Sequence, residues 1–214
     1  MLMAKIEKRI LSTSFNYGLI VATLKNNIGI VRLLLLHSEV LGINPNTSVV
    51  FVSPNQDETQ DENQEGDFGA TPFYHACKGS LALVELYVYL SKEKRILLKA
   101  PEDSEYCPFG HACAEGSYEV IEFLLHKRIE YDIASENQLK RGFLKLCGRH
   151  EPNLKIVKKF IKYAKHYRIK YDALDGYGRN ALHIATDKDE VELTELILKN
   201  ASNLGIGQVS HLCF

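Results

Sequence analysis

The stretch CPFGHACAEGSYEVIEFLL, from Cys107 to Leu125, limits what this chain can fold into more than any other, because it reads as two short helices joined by a turn. Pro108 fits the first turn of a helix, where its missing N–H is not needed, and Cys107 stands before it at the cap. Phe109, Ala112 and Cys113 fall at i, i+3 and i+4, so one large and two small apolar groups share a face that another helix can approach closely. Gly116 fits the turn and Ser117 the cap of the second helix, whose apolar side comes from Val120, Ile121, Phe123, Leu124 and Leu125. Neither helix can bury its face alone. The pair needs neighbours built the same way.

The flanking sequence supplies them. A second copy opens at Thr71 with TPFYHACKGS, turns at Gly79 and closes with LALVELYVYL. A third opens at Asn180 with NALHIA, preceded by Asp175, Gly176, Tyr177, Gly178 and Arg179 and followed by VELTELIL, with Asp189 where a turn glycine is expected. Asp tolerates the left-handed backbone such a turn uses better than most residues. A fourth set fills the interval between them: Gly142, Phe143, Leu144 and Leu146, then Leu154, Ile156, Val157, Phe160 and Ile161, with Pro152 expected to end its first helix. At the start of the chain, YGLIVATLKNNIGIVRLLLL aligns through Leu19, Ala22, Ile30, Val31, Leu33, Leu34 and Leu35.

These openings, the helix-turn-helix body and the spacing resemble the ankyrin repeat, with its T-P-L-H-x-A motif and period of roughly 33 residues. The resemblance implies an all-α ankyrin solenoid of about five helix-turn-helix units with hairpin loops. They would form one domain over 1–214, with repeats over about 16–204 and residues 1–15 as an N-terminal cap. It also implies that partners meet the hairpin tips and the inner helices. Carried over by position, the tip residues are Phe68, Ala70, Ser104, Tyr106, Tyr177 and Arg179; the inner-helix residues are His75, Lys78, His111, Glu115, Lys145, Ile184 and Lys188. Tyr and Arg most often anchor interfaces, which favours Tyr106, Tyr177 and Arg179. His183 matches the family's motif histidine and is assigned to structure. His75 and His111 sit one place after that position and would make binding depend on pH near neutrality.

Two charged stretches stand out. Residues 54–67, PNQDETQDENQEGD, carry several carboxylates and no basic group, and read as a flexible acidic insertion, either a docking arm for a basic partner or a tolerated loop. Lys155, Lys158, Lys159, Lys162 and Lys165 recur at helical spacing; they form either a stripe for an acidic partner or the solvated side of an amphipathic helix. No aromatic motif for stacking single-stranded nucleic acid is read among them. The formal net charge of −1 favours neither nucleic acid nor membrane as a partner.

The apolar run from Ile28 to Leu36 contains Arg32 and falls short of the roughly 20 residues a membrane span needs. No secretory signal is read at the start, and Cys213 lies too late for a prenylation box. The five cysteines, Cys77, Cys107, Cys113, Cys147 and Cys213, read as reduced thiols in a cytoplasmic setting, mostly small core residues. A zinc site from His75, Cys77, His111 and Cys113 is disfavoured, since residues two apart on a helix point in different directions. No third group orients a Cys–His nucleophile.

The expectation is therefore a monomeric, non-catalytic scaffold, adaptor or inhibitor that binds another protein and needs no cofactor or metal. The alternative is an effector delivered by an intracellular bacterium or parasite into host cytoplasm, or the binding module of a larger enzyme.

Overall fold

The computed structural model describes residues 2–48, 69–102 and 104–206, with side chains from residue 12 onward. Phe68, the acidic insertion and Cys213 lie outside the described residues. The fold is all-α. Among the described residues are twelve helices and no β-strand: α1 (Leu2–Leu24), α2 (Ile28–Leu36), α3 (Ser38–Leu41), α4 (Pro72–Ala76), α5 (Leu81–Lys94), α6 (Pro108–Glu115), α7 (Tyr118–Tyr131), α8 (Glu136–Cys147), α9 (Leu154–Tyr167), α10 (Ala181–Asp187), α11 (Val191–Lys199) and α12 (Ala201–Leu204). Five helix pairs follow one another: α1 with α2, α4 with α5, α6 with α7, α8 with α9, and α10 with α11. The chain divides into two compact units, Met1–Pro108 and Phe109–Phe214.

Local chemistry sets the helix starts. The side chains of Thr71 and Ser117 accept the N–H groups of Tyr74 and Val120 at 3.2 and 3.3 Å, capping α4 and α7. Ser135 with Gln138, and Asn180 with His183, form reciprocal capping boxes at α8 and α10. At the start of the chain α1 runs unbroken from Leu2 through residue 15, the stretch expected as an N-terminal cap, and into the first pair. Pro152 does not end α8. That helix stops at Cys147, with Gly148 as its C-cap.

In the first unit α1 packs on α2 and α4, and α2 packs on α5. The Tyr87 hydroxyl lies 2.6 Å from Thr23 Oγ1; because Thr23 gives its own proton to the Leu19 carbonyl, Tyr87 is the donor between them. Leu19, Ala22, Val31 and Leu35 are buried as their pattern requires, whereas Ile30 and Leu33 face outward, 47 % and 59 % exposed. Gly79 serves a close approach rather than a special backbone angle. A Cβ there would stand 3.3 Å from Asn26 Oδ1, which accepts from the Ser80 hydroxyl at 2.9 Å and links the two turns.

In the second unit α7 packs on α9, and α8 on both α9 and α10. A Cβ on Gly142 would stand 2.8 Å from Cε1 of Phe109 and 3.1 Å from Cys113 Sγ, so only glycine lets α8 lie this close to α6. Phe143, Phe160 and Tyr171 complete an aromatic core, with Phe143 and Tyr171 stacked at 4.6 Å.

A feature not read in the sequence recurs at the helix ends. Gly42, Arg95, Asp132, Arg168 and Gly205 all adopt left-handed backbone. Each is followed by a buried isoleucine: Ile43, Ile96, Ile133, Ile169 and Ile206. The isoleucine N–H donates to the carbonyl five residues back, at 2.8, 2.9, 3.1, 3.0 and 3.0 Å respectively. This is a Schellman ending with its apolar contact. The last four isoleucines recur at intervals of 36 and 37 residues.

Arg168 is solvent-exposed and carries the strain of a left-handed non-glycine residue with φ 55°. Arg168→Gly is expected to raise unfolding free energy by about 1 kcal/mol in urea titration, and Arg168→Val to lower it. The Tyr171 hydroxyl is buried with no hydrogen-bond partner among the described residues. Tyr171→Phe should therefore stabilise by about 1 kcal/mol, whereas Tyr87→Phe, which loses a made bond, should destabilise by about the same amount; paired thermal melts check both signs.

Candidate functional site

The candidate binding residues divide into those held on a surface and those used by the fold. In the first unit, Tyr74 connects two of them. Its ring meets Tyr106 edge-on at 5.7 Å and His75 edge-on at 5.5 Å, so the three form one aromatic group. The Tyr106 N–H donates to the Ser104 hydroxyl at 3.1 Å, a local turn that sets the backbone at Tyr106. His75 is half-buried, and burial lowers its pKa. Its switch therefore falls below the ordinary histidine value of about 6.5. Lys78 is exposed beyond the end of α4.

The second unit holds the most completely built element, the turn from Asp175 to Arg179. Asp175 organises it. One carboxylate oxygen accepts the N–H groups of Tyr177 and Arg179, both at 2.9 Å, and the other accepts Arg179 Nε at 2.9 Å. The backbone closes on itself, with Gly178 N–H to Asp175 O at 3.0 Å and Asp175 N–H to Arg179 O at 2.9 Å. Gly178, at φ 74°, takes the left-handed position. The result lifts Tyr177 into solvent, 87 % exposed, with the Arg179 guanidinium 5.2 Å from its ring centroid. Arg179 also donates to Asp187 at 2.6 Å, so two carboxylates already neutralise it. It positions Tyr177 more than it offers a charge.

Two candidates are drawn into the fold instead. Ile184 is 7 % exposed, because α10 packs on α8 and the side chain turns into that contact, so it is not presented to a partner. Lys188 donates to the carbonyls of Gly148 and, at 3.1 Å, Arg149, placing an ammonium against the negative end of α8. Arg149 treats the preceding turn alike, donating to the Gly116 carbonyl at 2.9 Å. His183 accepts the Asn180 N–H on Nδ1, a structural role at its own helix start. His111 is half-buried on α6, and Glu115 and Lys145 are exposed.

Lys155, Lys158 and Lys162 lie on the exposed side of α9, while Lys159 pairs with Glu122 of α7. Cys77, Cys107, Cys113 and Cys147 are buried, unbridged thiols, and burial pushes Cys147 well above the usual thiol range. Among the described residues no three His, Cys, Asp or Glu side chains gather closely enough to hold a metal ion, and no helix is long and apolar enough to cross a membrane. No protein-family model matches this chain, and neither does any curated protein.

The N–H of Arg179, then that of Tyr177 and the Arg179 side chain hold the Asp175 pKa below the usual carboxylate range. A depressed pKa contributes stability above the unfolded value of about 3.9 and loses it as pH falls through the folded value. The turn should therefore stay closed on acidification to about pH 4, with protected Tyr177 and Arg179 amides, and open below it. Asp175→Ala should expose both amides to hydrogen exchange at neutral pH.

Proposed function

We propose that the five helix pairs form an ankyrin-type repeat array whose work is non-catalytic protein binding, as a scaffold, adaptor or inhibitor. The partner meets the hairpin side and the inner-helix face. The recurring helix pair favours this architecture, since each pair leaves apolar faces that only its neighbours can cover. So does the left-handed residue and buried isoleucine that end α5, α7 and α9, and recur at the end of α12, at 36- or 37-residue intervals.

One observation carries the functional reading: Tyr177 stands 87 % exposed on a turn closed by Asp175. A large side chain carried on backbone already fixed has less conformational freedom to lose on binding, which favours an interface anchor. The grouped Tyr74, His75 and Tyr106 rings offer a second anchor of the same kind. Burial of the described thiols removes them as accessible nucleophiles, which fits recognition better than covalent chemistry.

The test is affinity capture from lysate of the source cells with wild type, Tyr177→Ala and a Tyr106→Ala, Tyr177→Ala, Arg179→Ala triple variant. A partner retained by wild type and lost from both variants, with the Tyr177→Ala thermal melt unchanged, is the expected result. The same partners on all three would move binding away from the hairpin side.

A further inference from the structure

Within the second unit, α7 and α9 border an open cleft of about 390 Å³ that none of the hairpin or inner-helix residues lines. Leu125 and His126 reach it from α7; Lys159, Lys162, Tyr163, His166 and Tyr167 reach it from α9. Helical spacing explains the gathering, because Lys159, Lys162, Tyr163 and His166 fall at i, i+3, i+4 and i+7 on one face of α9. The lysine stripe is therefore interleaved with aromatic rings, contrary to the reading of the sequence alone.

The rings are held in place. Tyr163 and Tyr167 lie 4.3 Å apart, and His166 meets Tyr167 edge-on at 4.6 Å. The Tyr163 hydroxyl accepts Arg128 Nε at 3.1 Å, which ties the aromatic wall to α7. Glu122, the cleft's carboxylate, is neutralised by Lys159. Among the described residues no ion pair engages Lys162, and exposed Lys155, Lys158 and Lys165 continue the positive face.

We propose that this cleft docks an acidic segment of another protein, a run of Asp or Glu interrupted by an aromatic side chain. The aromatic group lies on the Tyr163 and Tyr167 rings, and the carboxylates accept from Lys162 and His166. The chemistry favours a peptide over the other polyanions. Leu125 and the Tyr163 and Tyr167 rings make the lining more apolar than cationic, which suits a peptide's aromatic side chain flanked by single carboxylates better than a continuous row of phosphates. The site is separate from Tyr177, so this inference and the hairpin reading fail independently.

The probe is a fluorescein-labelled peptide of alternating Glu and Tyr, read by fluorescence anisotropy on the full chain, with a Gln–Tyr peptide as its neutral control. Saturable binding of the acidic peptide alone is expected, weakened about tenfold or more by Lys162→Glu and by Tyr167→Ala, a loss of about 1.4 kcal/mol. Both side chains are exposed, and unchanged thermal melts would separate lost contact from lost fold. Tyr177→Ala and Lys25→Glu, the same charge reversal on an exposed residue of the first unit, should leave affinity within about twofold. The proposal is overturned by no saturation, by equal weakening in Lys25→Glu, or by tighter binding of oligo-dT or phosphatidylserine vesicles at the same salt.

Discussion

A helix must stop, satisfy its last carbonyls and send the backbone off at an angle without unpairing it, and at the ends of α3, α5, α7, α9 and α12 one local device does this. A residue in left-handed conformation reverses the chain, and the isoleucine after it both donates to a carbonyl five residues back and inserts into the core. The contact is polar and apolar at once. If the isoleucine is displaced, the helix end loses a hydrogen bond and the core loses a side chain together. The spacing of helix pairs, and thus the placement of the turns, follows from where these endings fall.

Between the endings, small residues set how closely the helices approach. Gly142 faces the Phe109 ring and Gly79 faces Asn26, each at a distance no other residue would allow without displacement. Polar ties then fix the turns, from Ser80 to Asn26 in the first unit and from Arg149 and Lys188 to helix-terminal carbonyls in the second. Charge here is spent locally. That explains why Arg179 and Lys188, attractive as ligand-binding cations, are largely committed to the fold.

Much of this was legible from residues alone. Thr71, Ser117 and Asn180 announced their helix starts, and the spacing of apolar residues located both helices in each pair, even over 142–161 where motifs are worn. Asp189 adopts the left-handed backbone its place in the turn suggested. The endings at Arg95, Asp132 and Arg168 were not legible, because their backbone is fixed by neighbours and these residue types give no hint of it. Ile184 misled for a related reason: its position on α10 is clear, but only the packing of α8 decides that it is covered. The α7/α9 cleft was not legible, since helical spacing gathers Tyr163, His166 and Tyr167 on α9 but only the packing of α7 beside them makes a cleft.

The buried thiols give this protein a set of internal reporters. Cys77 closes α4, Cys107 immediately precedes α6, Cys113 lies within α6 and Cys147 closes α8, so three successive helix pairs each carry at least one. A maleimide cannot reach any of them until its surroundings open. The rate at which each cysteine is labelled, resolved by peptide mapping, would therefore measure how often that part of the chain loosens, without introducing a single foreign residue. An array held by nearest-neighbour contacts should label in order from its weaker end; a single cooperative block should label all at one rate.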